Sequence, residues 1–132
     1  MPEQAKILLV EDDPLVVRAY QRRFTIEGFN ISLAGNGDEG LAALKLNRPD
    51  LILMDIMMPK ANGIDALKKI KADPEYKNIP VIILTNLGDR QEDVQKCKEL
   101  GAEDYWVKAN MSLDEILEKI RNILAKNNII YK

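Results

Sequence analysis

The sequence predicts an alternating α/β domain: a five-stranded parallel sheet with helices on both faces. Three observations predict it. Short apolar runs recur along the chain, Ile7-Leu8-Leu9-Val10, Leu51-Ile52-Leu53-Met54, Val81-Ile82-Ile83-Leu84 and the briefer Tyr105-Trp106-Val107, and continuous runs of this kind mark parallel strands buried on both faces. Helical periodicity falls between them. Strand starts near residues 7, 29, 51, 81 and 104 leave room for one helix in each crossover, which parallel strands require.

The first strand closes at Glu11-Asp12-Asp13. Asp13 is expected to cap the first helix with Pro14 at its first position, where a missing N–H costs nothing. Val16, Ala19, Tyr20 and Phe24 fall on one helical face, and the helix stops before Gly28. Phe29, Ile31 and Leu33 alternate with polar or small residues, as an edge strand would. A helix from about Asp38 carries Leu41 and Leu44, and Pro49-Asp50 leads into the central strand at Leu51. Ile64, Leu67 and Ile70 mark the third helix, and Asp73-Pro74-Glu75-Tyr76-Lys77-Asn78 reads as a turn-rich surface connection. Val94, Cys97 and Leu100 mark the fourth helix, with Gly101 past its end. The last helix is announced by a capping box, Ser112 with Glu115, and by a hydrophobic staple of Met111 with Ile116. Leu113, Ile116, Leu117, Ile120, Ile123 and Leu124 give it an apolar face.

Composition narrows the function classes. At 132 residues, 46% hydrophobic and 30% charged, the chain fits one ordinary water-soluble domain. A net charge of −2 with both signs interspersed gives no electrostatic footprint for nucleic acid. No apolar run approaches a membrane span, and the N-terminus does not read as a signal peptide. The single Cys97 sits in an amphipathic pattern as a small core residue, and a reducing, cytoplasmic location is expected. There is no histidine, so the commonest general base and metal ligand is missing.

The chemistry lies at the strand ends. The run Leu51-Ile52-Leu53-Met54 stops abruptly on Asp55, where ligands of open α/β sheets bind. A helix cap is the alternative for Asp55, but Pro59 and the Met57-Met58 pair favour a loop running to Gly63. Glu11-Asp12 end the first strand, Thr85 the fourth and Lys108 the fifth, so parallel strands bring all of them to one edge. Three carboxylates there repel one another without a cation; a hard, oxygen-seeking ion such as Mg²⁺ relieves that repulsion. An ammonium and a hydroxyl beside them can bind phosphoryl oxygens. Singly, Thr85 reads equally well as a loop hydroxyl and Lys108 as a solvated charge; the set carries the specificity.

From Lys6 to about Lys126 the chain resembles the receiver domain of two-component response regulators. The matching pieces are Glu11-Asp12 after Leu9-Val10, Asp55 within Met54-Asp55-Ile56-Met57-Met58-Pro59, Gly63, Thr85, Lys108, and Tyr105 three residues before that lysine. The resemblance implies a flavodoxin-like doubly wound sheet of order 2-1-3-4-5 with five helices. It implies that Asp55 accepts a phosphoryl group from a sensor histidine kinase or phosphotransfer protein, the chain catalysing only its own phosphorylation and dephosphorylation. Asp12, Glu11, Asp55 and the Met57 carbonyl would hold Mg²⁺. Lys108 would pair with the phosphate, and Thr85 would swing towards it, vacating space for Tyr105 as the switch. Residues 1–126 are then the receiver, 127–132 a short tail, and the absence of an output domain implies a stand-alone regulator that binds a partner or relays phosphate.

Two departures stand out: Asn86 follows Thr85 where a small residue is usual, and Ala109 follows Lys108 where proline is usual, typically through a cis bond. A cis bond to alanine costs about 2.5–4 kcal/mol against about 0.5–1 to proline, so a trans bond is expected, with Lys108 still reaching Asp55. Trp106 should point away from Tyr105, into the core. Two other readings remain. Gly35-x-Gly37-x-x-Gly40 is a literal dinucleotide-binding pattern, with Asp55 20 residues past Gly35, but Asp38 and Glu39 in the first helical turn would repel a pyrophosphate. A phosphorylation-independent interaction module is the other, against which the intact acidic and basic set weighs.

Overall fold

The computed structural model describes residues 4–56, 63–86 and 91–127. Five strands, β1 (Lys6–Val10), β2 (Asn30–Ala34), β3 (Leu51–Asp55), β4 (Val81–Thr85) and β5 (Asp104–Val107), form one parallel sheet in the order β2-β1-β3-β4-β5. Five α-helices accompany them: α1 (Pro14–Ile26), α2 (Gly37–Leu46), α3 (Gly63–Ala72), α4 (Gln91–Leu100) and α5 (Leu113–Lys126).

Handedness distributes the helices. The crossover from β1 to β2 steps one way along the sheet and the next three step the other way. Right-handed crossovers therefore place α1 on one face and α2, α3 and α4 on the opposite face, and α5 joins α1. Alternation along each strand feeds both cores. Leu8, Val10, Ile52, Met54, Val81 and Ile83 pack with Leu44, Leu67, Ile70 and Cys97. Ile7, Leu9, Leu51, Leu53, Ile82 and Leu84 pack with Tyr20, Phe24, Ile116, Leu117, Ile120 and Leu124. The inner strands β1, β3 and β4 read as unbroken apolar runs because their residues face one core or the other, whereas the edge strand β2 exposes Asn30 and Leu33.

Helix ends follow their local chemistry. Asp13 accepts from the Leu15 N–H (2.9 Å) ahead of Pro14. Ser112 and Glu115 close the capping box reciprocally, Ser112 Oγ accepting from Glu115 N at 3.2 Å and Glu115 Oε1 from Ser112 N at 3.3 Å. Gly28 (φ 91°) and Gly101 (φ 106°) occupy left-handed positions just past α1 and α4. After each, the next residue's N–H reaches back across the turn, Phe29 to the Phe24 carbonyl and Ala102 to that of Cys97, the Schellman closure.

Three details differ from the sequence expectation. Ala19 is exposed, so α1 buries a narrower stripe, Tyr20 and Phe24 with Val16 at its margin. Tyr76 is buried in the core although its connection is turn-rich; Asp73 Oδ1 accepts from Glu75 N at 2.9 Å, and Lys71 donates to the Lys77 and Ile79 carbonyls, folding that segment back onto α3. A single 3₁₀ turn, Lys108–Asn110, links β5 to the Ser112 cap.

Candidate active site at the carboxyl edge of the sheet

Strand order locates the site. The chain leaves β1 for β2 on one side and returns as β3 on the other, so a crevice opens beyond the carboxyl ends of β1 and β3. Glu11 and Asp12 follow β1, and Asp55 is the last residue of β3. One carboxylate oxygen from each lies within 4.8 Å of the others, with Glu11 and Asp55 buried and Asp12 exposed. Gly63 starts α3 against this edge. Its N–H donates to the Ile56 carbonyl (3.3 Å), and a Cβ there would sit 2.6 Å from the Asp55 carbonyl oxygen and 3.0 Å from Ile56 Cα. Both obstacles are backbone. Gly63→Ala is therefore expected to cost about 1–3 kcal/mol, the usual penalty of overpacking, read as a lower urea midpoint at unchanged slope.

Lys108 crosses from β5 to the acids. Its Nζ lies 2.7 Å from Glu11 Oε1 and 3.3 Å from Asp55 Oδ2. Burial alone would lower its pKa, but the hydrogen bond to Glu11 and the Asp55 and Glu11 charges outweigh burial and hold it above the ordinary lysine value. The closer partner is Glu11, which is 97 residues away in sequence. Sequence reasoning aimed Lys108 at Asp55 and missed that pair. Every peptide bond among the described residues is trans, Lys108-Ala109 included, and the lysine, at the start of the 3₁₀ turn Lys108–Asn110, still reaches both acids.

The remaining site residues surround this cluster. Thr85 is buried and its hydroxyl donates to the Trp106 carbonyl (3.3 Å), so it is turned towards β5. Asn86 is exposed. Tyr105 is half-buried against the α4 side, whereas Trp106 faces the α1–α5 core and donates from Nε1 to Asp104 (3.0 Å). Tyr20, which sequence reasoning gave only a core role, lies close enough to feel Lys108 and Glu11, and burial pushes its phenol up to about 12. With Lys108, Tyr20 lines an open groove of about 330 Å³ between α1 and α5, together with Leu15, Val16, Met111 and Leu113. Met57 lies outside the described residues. Cys97 is buried and its thiol is pushed up to about 11 by burial, which leaves it inert as a nucleophile.

The glycine-rich loop resolves differently from a nucleotide cradle. Asn36 caps α2 by accepting from Glu39 N (2.9 Å), while Glu39 Oε1 accepts from Gly35 N (3.1 Å). A carboxylate of the chain itself thus takes the place at the helix N-terminus where a pyrophosphate would sit. Gly40 is there for packing: a Cβ would stand 3.0 Å from Val10 Cγ2 on β1.

Residues 7–121 match the family model of the response regulator receiver domain. The chain belongs to this family. Receiver domains work as phosphorylation-dependent signalling switches. Among curated relatives, the transcriptional regulatory protein CpxR of Klebsiella pneumoniae is 40% identical over 93% of this chain and 50% of its own length. The chain spans about half the length of the curated relatives it matches. Among solved structures, a CheY-like receiver from Methanospirillum hungatei superposes with a TM-score of 0.87 at 25% identity, over 96% of this chain and 98% of that one. The Mn²⁺-bound form of response regulator Rcp1 superposes at 0.75 with 29% identity, over 92% of each chain. Among the described residues, no helix of this receiver is long and apolar enough to cross a membrane.

Proposed function

We propose that this receiver accepts a phosphoryl group on Asp55 from the phosphohistidine of a sensor kinase or phosphotransfer protein, in a Mg²⁺-dependent reaction, and then changes the surface it offers a target protein. The observation that carries the reading is the convergence of Glu11, Asp12 and Asp55 with Lys108 bridging two of them. In the transfer, an Asp55 oxygen forms the new P–O bond while the P–N bond breaks, and the imidazole leaves with the electron pair. Lys108 balances charge on the phosphoryl oxygens, and Thr85 turns from the Trp106 carbonyl to hydrogen-bond them.

The acids fit a hard divalent ion: all three are oxygen donors, close together, and one ammonium offsets only part of their charge. Glu11, Asp12 and Asp55 would hold Mg²⁺, with the Met57 carbonyl as a further ligand. When bound, the ion supplies charge neutralisation for the phosphoryl group. The manganese in Rcp1 supports this assignment by likeness. The groove beside Lys108, rimmed by the 74% exposed Leu15, gives a donor protein an apolar surface next to the acceptor. Residues 1–126 are the receiver proper in this reading and 127–132 a tail, and interspersed charge gives no reason to add nucleic acid as a partner.

Incubation with acetyl phosphate and Mg²⁺ should add the mass of one phosphoryl group, removable by hydroxylamine, and chelation with EDTA should prevent the gain. Unchanged mass in Mg²⁺ would refute the proposal. Thr85→Ala should still gain the group but leave the Tyr105 environment unmoved, followed by NMR of the aromatic ring; equal movement in variant and wild type would remove Thr85 from the switch.

A further inference from the structure

Beside the tyrosine of the proposed switch lies a cation that the phosphoryl chemistry does not use. Lys98, in the last turn of α4, places Nζ 4.2 Å from the centroid of the Tyr105 ring. A ring face attracts an ammonium through its quadrupole. Lys98 is exposed, so burial does not force its side chain onto the ring. The backbone beneath it is fixed. Cys97 is fully buried, Gly101 N–H donates to the Lys98 carbonyl (3.1 Å), Ala102 N–H to that of Cys97 (3.0 Å), and Glu103 N–H to Val81 (2.8 Å). The end of α4 is thereby held against the start of β5, and the Lys98-to-Tyr105 span is set by packing. On the sheet side, Thr85 is bonded to the Trp106 carbonyl, the residue after Tyr105. The ring thus has a cation on its α4 side, while the Thr85 hydroxyl is tied to the backbone of the next residue.

We propose that Lys98 is a positioning residue that holds the Tyr105 ring on the α4 side and so sets how readily it moves when Asp55 is phosphorylated. The second half rests on Tyr105 being the switch. A ring leaving this position gives up the cation, and an exposed contact of this kind changes the ratio of two ring positions by about two- to fivefold. Lys98 tunes the equilibrium. The effect belongs to the charge: arginine keeps it, and glutamine of similar reach loses it.

The test uses the full chain labelled with 3-fluorotyrosine, the Tyr105 signal being identified among four tyrosines by its loss in Tyr105→Phe. In unphosphorylated Lys98→Gln, the signal should move part of the way towards its place in wild type treated with acetyl phosphate and Mg²⁺. Lys98→Arg should superimpose on wild type. Coincident signals in wild type and Lys98→Gln would overturn the hold, and equal displacement in Lys98→Gln and Lys98→Arg would assign it to packing and overturn the role of charge. A wild-type signal unmoved by phosphorylation overturns the switch reading and the regulatory half of the proposal, while displacement in unphosphorylated Lys98→Gln still establishes the hold.

Discussion

Asp55→Asn is expected to abolish phosphoryl incorporation and, without a divalent ion, to raise stability. The first effect follows because an amide oxygen is not the nucleophile that a carboxylate is. The second follows from crowding. Asp55 is buried, lies 3.3 Å from the Lys108 ammonium, and shares a site with two other carboxylates whose oxygens lie within 4.8 Å. Repulsion by two neighbouring carboxylates and desolvation both oppose the charged form, so a neutral residue of nearly the same shape should gain about 1 kcal/mol or more. Mass spectrometry reads the first effect and urea denaturation in EDTA the second. A variant still modified to full extent would remove Asp55 as the acceptor; one less stable than wild type would mean that the favourable contacts of the Asp55 carboxylate outweigh the crowding.

Lys108→Met should shift stability the opposite way, and further. It removes the positive member of the cluster and leaves Glu11 and Asp55 buried, at 0% and 3% side-chain exposure, without their shared ammonium. Removing one partner of a buried ion pair costs about 3–5 kcal/mol. Because the folded-state pKa of Lys108 lies above its ordinary value, its contribution is fully present below about pH 10.5 and is lost only as pH rises through the folded value. Neutral pH therefore shows the whole effect. Millimolar Mg²⁺ should shrink the deficit by restoring positive charge among the acids, whereas a deficit equal with and without Mg²⁺ would argue that the acids do not form an ion site. The two substitutions remove opposite members of one ion pair and are expected to change stability with opposite signs, which loss of packing alone would not do.

The fold was legible because its signals are local. Apolar runs, the Asp13-Pro14 start, the Ser112–Glu115 box and Gly101 each state their structure within a few residues. Strand order was not local; it came from resemblance to a known family, and the pairings agree with it. The site was legible as a set, because parallel strands gather their carboxyl ends on one edge. Its internal pairings were not. Nothing near Lys108 says that Glu11 is a closer partner than Asp55, and nothing near Lys98 says that it stacks on Tyr105, since each pairing depends on how two elements pack. Tyr76 escaped for a related reason: turn residues around it predict exposure, while Lys71 folds the segment back onto the core. The glycine-rich loop shows the converse case, a literal motif between strand and helix that the acidic first turn argued against and that is a helix cap with a packing glycine.

The most direct test of the account is chemical location of the phosphoryl group. After treatment with acetyl phosphate and Mg²⁺, borohydride reduction converts an aspartyl phosphate to homoserine, which peptide mass spectrometry assigns to a position. Homoserine at position 55 alone is the predicted result. Homoserine at position 12 instead, or a stable phosphate ester on a serine or threonine with none at position 55, would contradict it.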